Sequence, residues 1–237
     1  MHDVKLPQHL VERVEKRRGH LHAFETIDPA ATALVVIDMQ DAFVAEGAPL
    51  EVPKARGIVP NINRLAEAMR AAGGTVVWVK MTMAESGSNS FPVYYKYFFQ
   101  EEGRKKHLAA LTEGAELHRI YPKLDVKPDE PVVLKNRFSA LIQGSSDLDE
   151  LCKARGIDTL IVVGTLTNVC CESTVRDAMM LGYRALMPAD ANATLSDEAH
   201  LAGLITVAQF FGDIRDTDVV IRLIKQGTGG ATSQAAE

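Results

Sequence analysis

Three side chains of this 237-residue chain have the types needed for nucleophilic chemistry: Asp38, Lys135 and Cys170. A cysteine attacks as its thiolate, so it needs a cation nearby or a base to take its proton. Lysine offers the first and a carboxylate the second. Each residue also has an ordinary explanation. Asp38 directly follows the aliphatic run Ala33-Leu34-Val35-Val36-Ile37 and reads equally well as a cap for the turn Met39–Phe43. Cys170 and its neighbour Cys171 read equally well as small buried core residues.

The elements around them decide whether they meet. Thr159–Val163 is a short apolar run, as in a parallel strand buried on both faces, and Gly164 ends it. Thr167 or Asn168 is a suitable N-cap, which puts Cys170 in the first turn of the next helix. Unpaired backbone N–H groups and the positive helix end there favour a thiolate. Further strands are expected at 33–37, 75–79, 131–134, 184–188 and 213–215. Helices are expected at 58–72, 147–155 and 196–211, after Cys170, and from Thr217. The alternation implies an α/β fold, a Rossmann-like three-layer sandwich with a mainly parallel six-stranded sheet. Asp38, Lys135 and Cys170 each stand at the carboxyl end of a strand, the edge where such sheets bind ligands. An acid, a base and a thiol on one edge are hard to assemble by chance.

Residues 1–28 read as an arm, with a helix over Leu6–Arg18 carrying Leu10, Val11 and Val14 on one side, packed on the domain or on a partner subunit. Residues 29–225 form the domain, and 226–237, rich in Gly, Ser, Thr and Ala, read as a disordered tail. Six of the fourteen aromatics lie in Phe91–Phe99, as a pocket wall, a subunit contact or ordinary core. Net charge is -5 and no basic block marks a nucleic-acid footprint. No run approaches membrane-spanning length. Three cysteines, two of them adjacent, make no disulfide framework, so a reducing cytoplasm is expected.

Three motifs resemble the isochorismatase-like family of cysteine hydrolases: Val35–Phe43 (Val-Val-Ile-Asp-Met-Gln-Asp-Ala-Phe), Lys135–Ala140 (Lys-Asn-Arg-Phe-Ser-Ala), and Gly164–Cys170 (Gly-Thr-Leu-Thr-Asn-Val-Cys) with Thr174–Ala178 behind it. The resemblance covers about residues 30–225. It implies a catalytic triad of Asp38, Lys135 and Cys170, and marks Cys170 as the nucleophile because a threonine stands three residues before it. It also implies a cis peptide between Thr165 and Leu166, and an oxyanion hole from the backbone N–H groups of Leu166 and Cys170. Substrate contacts are expected from Gln40, Phe43, Arg137, Phe138, Thr167 and Asn168. Asp41 departs from the family's usual asparagine and is expected to alter the hydrogen bonds around Asp38.

The activity implied is hydrolysis of the C–N bond of a small amide or ureido compound, with ammonia released, in the ureidoacrylate and N-carbamoyl amidohydrolase branch. No cofactor is expected. Nicotinamidases carry an Asp and two His as a metal site after the second strand; here no histidine lies between His22 and His107, so no metal is expected. The expected partners are the small-molecule substrate and further copies of the chain, as a dimer or tetramer. Two alternatives stay open. An isochorismatase-type vinyl ether hydrolase does not need the cysteine. A flavodoxin-like or dinucleotide-binding module would hold phosphate at Thr165–Asn168, but the second and third glycines of a dinucleotide fingerprint are missing.

Overall fold

Thr32–Ile37 and Thr159–Thr165 are buried along their whole length, and these two apolar runs form the middle of the sheet. The computed structural model describes residues 1–234, with the side chains of 229–234 left out of account. Its elements are α1 (Gln8–Arg18), β1 (Thr32–Ile37), α2 (Asp41–Val44), α3 (Val59–Ala71), β2 (Thr75–Met81), α4 (Pro92–Tyr97), α5 (Glu101–Leu111), β3 (Val132–Lys135), α6 (Leu148–Ala154), β4 (Thr159–Thr165), α7 (Glu172–Met180), β5 (Arg184–Pro188), β6 (Asn192–Ala193), α8 (Asp197–Thr206), β7 (Asp213–Arg215) and α9 (Thr217–Gln234).

The strand order is β3-β2-β1-β4-β5-β7, and all the ladders are parallel. The six expected strands are present. The seventh, β6, pairs its two residues with Gly164 and Thr165; two residues are too few to leave a period in the sequence. Alternate side chains of each strand enter opposite cores. Leu34, Val36, Trp78, Ile161 and Val163 meet α3 and α9 on one face. Ala33, Val35, Ile37, Val77 and Val162 meet α1, α6 and α7 on the other. Three layers result. Successive strands run outward in opposite directions from β1 and β4, so the switch point of the sheet lies between their carboxyl ends.

At the ends, the arm helix starts at Gln8 instead of Leu6, and the tail departs from its expectation. The arm helix is α1, with Leu10 and Val14 buried against the domain's second core and Gly19 at φ 86° closing it. The stretch expected as a disordered tail is helical through Gln234, as the continuation of α9, while 235–237 lie outside the described residues. Gly227 explains part of this: a Cβ there would stand 2.2 Å from the Ile27 carbonyl, so α9 lies directly on the segment before β1.

Candidate active site

The close approach of β1 and β4 at the switch point depends on one glycine. Gly164 has φ 119°, and a Cβ there would lie 2.1 Å from the Ile37 carbonyl. It stands inside β4, which runs one residue beyond it, where the sequence placed the strand's end. At the same level the chain leaves β1 through Asp38, which holds φ 51°, a left-handed conformation uncommon outside glycine. Its backbone is fixed on both sides: its N–H donates to Val79 O at 2.9 Å, and the Thr165 hydroxyl donates to its carbonyl at 3.0 Å. The peptide bond Thr165–Leu166 is cis.

After Leu166 the chain makes a π-helical turn, Thr167–Cys171, before α7 begins. The N-cap is Leu166, without a side-chain cap, rather than Thr167 or Asn168. Leu166 O accepts from the N–H groups of Val169 and Cys171, and Cys170 O accepts from the Thr174 hydroxyl at 2.7 Å. Cys170 is thus held at the start of a helix just beyond β4.

Lys135 ends β3, two strands away from β1, and its long side chain crosses β2 to reach the switch point. Its Nζ lies 2.7 Å from Asp38 Oδ2, 3.4 Å from Cys170 Sγ, 3.2 Å from Met81 Sδ and 3.0 Å from Arg137 O. Asp38 and Lys135 are fully buried and Cys170 is 4% exposed. The three residues named from the sequence therefore form one contiguous group. Neither Asp38 oxygen receives a hydrogen bond of good angle; the contact with Lys135 is chiefly one of charge.

Burial governs the protonation of this group. It raises Asp38 above the ordinary carboxylate range, against the pull of Lys135, the Cys170 thiol and the Met81 amide. It acts on Lys135 in the opposite sense, but Asp38 and the Cys170 sulfur together outweigh it and hold that amine's pKa up. Cys170 is pushed up to about 12 by burial and the nearby Asp38, with Lys135 opposing. Loss of water around the sulfur works against the thiolate, and Lys135 works for it. The thiol keeps its proton beside a carboxylate whose affinity for protons is raised.

The expected substrate contacts divide. Gln40 is fully buried and its amide is engaged internally, Nε2 with Met81 O and His118 O and Oε1 with Met81 N; it ties β1 to β2. Phe43 belongs to the core beside α3. Thr167 is buried with its hydroxyl on His200 Nδ1 at 2.7 Å. Asn168 is exposed and its Oδ1 accepts from the Thr194 hydroxyl at 2.7 Å. Asp41 pairs with Arg119, not with the surroundings of Asp38.

Arg137 and Phe138 follow shortly after Lys135, and the Arg137 carbonyl accepts from the lysine Nζ. The Arg137 guanidinium sits 4.7 Å over Phe91, and Nη1 alone donates, to Ser90 O, Asn136 O and Asn136 Oδ1. Its Nε and Nη2 have no partner among the described residues. Phe138 packs edge-on against Phe91 and Tyr94 at 5.4 and 5.1 Å. The aromatic segment is thus divided: Tyr95 is buried core, Tyr94 packs edge-on against Phe138, and Val93, Tyr97 and Phe98 are exposed. Tyr94 stands near enough to Cys170 for the sulfur's charge to raise the phenol's pKa, after burial. Its place near Cys170, the contact of Met81 with Lys135 and that of His200 with Thr167 were not readable from spacing, because the partners lie 33 to 76 residues away.

A parallel α/β sheet with a buried carboxylate, amine and thiol at its switch point defines a class, and residues 32–219 match the isochorismatase domain; the chain belongs to that family. Among curated relatives it is similar to the ureidoacrylate amidohydrolase RutB of Agrobacterium fabrum, 32% identical over 85% of this chain and 93% of the relative. It is also similar to the enzyme of that name from Rhizobium rhizogenes, 34% identical over 79% and 80%. Among solved structures, a cysteine hydrolase from Pseudomonas syringae superposes with a TM-score of 0.77 at 30% identity, over 87% of this chain and 98% of that one. A flavodoxin-like module is therefore set aside.

Proposed function

We propose that the protein is a cysteine-dependent amidohydrolase acting on small ureido acids, with Asp38, Lys135 and Cys170 as its triad. The observation that carries the reading is the placement of all three side chains within one buried contact at the sheet's switch point. Asp38 takes the thiol proton as sulfur bonds to the ureido carbonyl carbon, and Lys135 holds the charge of both partners. The developing oxyanion is held by the N–H groups of Leu166 and Cys170. The C–N bond to the acid's nitrogen breaks, Asp38 returns its proton to that nitrogen, and an S-carbamoyl group remains on Cys170. Water, giving a proton to Asp38, adds to the thiocarbamate carbon and expels the sulfur, which takes that proton back from Asp38 as the thiol. Carbamate leaves and decomposes to carbon dioxide and ammonia. The unpaired edge of Arg137 offers a substrate carboxylate two parallel hydrogen bonds.

The reading includes a cytoplasmic enzyme that works as a homo-oligomer. The free cysteines suit a reducing compartment, and no helix among the described residues is long and apolar enough to cross a membrane. A panel of ureidoacrylate, N-carbamoyl amino acids and neutral amides, assayed for ammonia, tests the activity. Cys170→Ala should abolish turnover and Cys171→Ala should keep most of it. Arg137→Lys should lower kcat/KM for the acids at least tenfold more than for neutral amides, since lysine keeps the charge and loses the fork. Equal losses on both would remove Arg137 from substrate recognition, and an active Cys170→Ala would remove the nucleophile.

A further inference from the structure

The imidazole of His2 is 1% exposed, although it lies in the irregular segment of the arm before α1. It is bonded on both nitrogens and stacked on one face. Nδ1 lies 2.6 Å from Asp197 Oδ1, and Nε2 accepts from the Thr194 N–H at 3.0 Å. With Nε2 accepting, Nδ1 carries the proton and donates it to Asp197. The ring lies 4.1 Å from that of His200, within 10° of parallel. Asp197 also pairs with Lys54.

The residues that His2 touches are those that hold the turn carrying Cys170. Thr194 donates its hydroxyl to Asn168, and His200 meets the Thr167 hydroxyl. Thr167 and Asn168 are the first two residues of the π-helical turn, directly after Leu166. Helix α8 lies so close to this turn that a Cβ on Gly203 would be 3.1 Å from Asn168 Cα. A side chain that fixes the backbone at Thr194, the N-terminal turn of α8 and the His200 ring at once therefore sets where Thr167 and Asn168 stand. Errors there pass to the Leu166 and Cys170 amides, whose aim at an oxyanion tolerates little displacement.

We propose that His2 is a positioning residue for the turn Thr167–Cys171, acting through Thr194 and His200, so that the N-terminal arm is part of the catalytic apparatus. The inference rests on the reading of Cys170 as nucleophile. Loss of the imidazole loosens the oxyanion donors and slows the chemical step. Substrate affinity is unchanged, because no substrate contact is removed.

The test uses the full chain without an N-terminal extension, as wild type, His2→Ala and His2→Gln. Glutamine can accept from the Thr194 N–H and donate to Asp197 in the same place. Ureidoacrylate turnover is measured alongside iodoacetamide alkylation of Cys170, followed by mass spectrometry. His2→Ala should lower kcat about tenfold with KM unchanged within twofold and change the Cys170 alkylation rate at least threefold. His2→Gln should recover at least half of the wild-type kcat and alkylation rate. An unchanged kcat and alkylation rate in His2→Ala would overturn the proposal. So would a loss in His2→Ala that glutamine does not recover while both variants melt like wild type. Wild-type inactivity on every ureido acid would instead count against the proposed function, and the alkylation rates would still decide the role of His2.

Discussion

At the scale of single residues, the Asp38–Lys135 pair is costly and mutually dependent. Both side chains are fully buried, and taking one ion of such a pair away leaves the other without compensation, at about 3–5 kcal/mol. In Lys135→Met, Asp38 loses the cation that opposes its desolvation, and its carboxyl pKa rises further above the ordinary value. A raised carboxyl pKa means that the folded state binds the proton more tightly than the unfolded chain does. Stability is then lost as pH rises from the unfolded value of about 4 up through the folded one. Lys135→Met should therefore melt closer to wild type near pH 4.5 than at pH 8. Adding Asp38→Asn should restore most of the loss at pH 8 while activity stays absent. A melting deficit independent of pH, or one that Asp38→Asn deepens, would contradict a charge-paired core.

At the scale of elements, much of the framework was legible because its signals are local. Buried parallel strands such as Ala33–Ile37 and Thr159–Val163 announce themselves as unbroken aliphatic runs, and their alternation with helices fixes the parallel sheet. The turn Thr167–Cys171 was less legible. Thr167 has the chemistry of an N-cap, but its hydroxyl is taken by His200 from α8, a partner that no local pattern reveals. The same holds for Gln40, whose amide is consumed by Met81 and His118. Gly164 was visible as a glycine but not as the contact that lets β4 approach β1. A methyl group there would meet Ile37 O and also require a residue other than glycine at φ 119°. Gly164→Ala should cost about 3 kcal/mol or more, from overpacking and backbone strain together. Thermal melting and soluble yield measure this. Gly182, at φ 95° with open space around it, is the control, and Gly182→Ala should cost only about 1 kcal/mol. Equal losses at the two sites would show that conformation alone, and not the close approach of the strands, accounts for Gly164.

At the scale of the molecule, the site is assembled from distant stretches by the order of the strands. Asp38 comes from the end of β1, Lys135 from β3, the thiol from beyond β4, and the Tyr94 ring near it from the segment between β2 and α5. The sequence made the first three legible because each stands at a strand's carboxyl end. The same whole-molecule view bears on metal. A catalytic ion needs three or more donors converging on one point, and no such group of His, Cys, Asp and Glu occurs among the described residues. The polar partners of the buried histidines are not metal donors: His107 meets Tyr95, His118 meets Thr82, and His200, stacked on His2, meets Thr167. Burial holds all three down to about 4, as neutral rings in separate places. Prolonged dialysis against EDTA, followed by assay in metal-free buffer, should leave ammonia release within twofold of the untreated enzyme, and added zinc or manganese should not raise it. A loss that either ion restores would mean that donors outside these clusters, or from another copy of the chain, complete a site that this arrangement of residues does not predict.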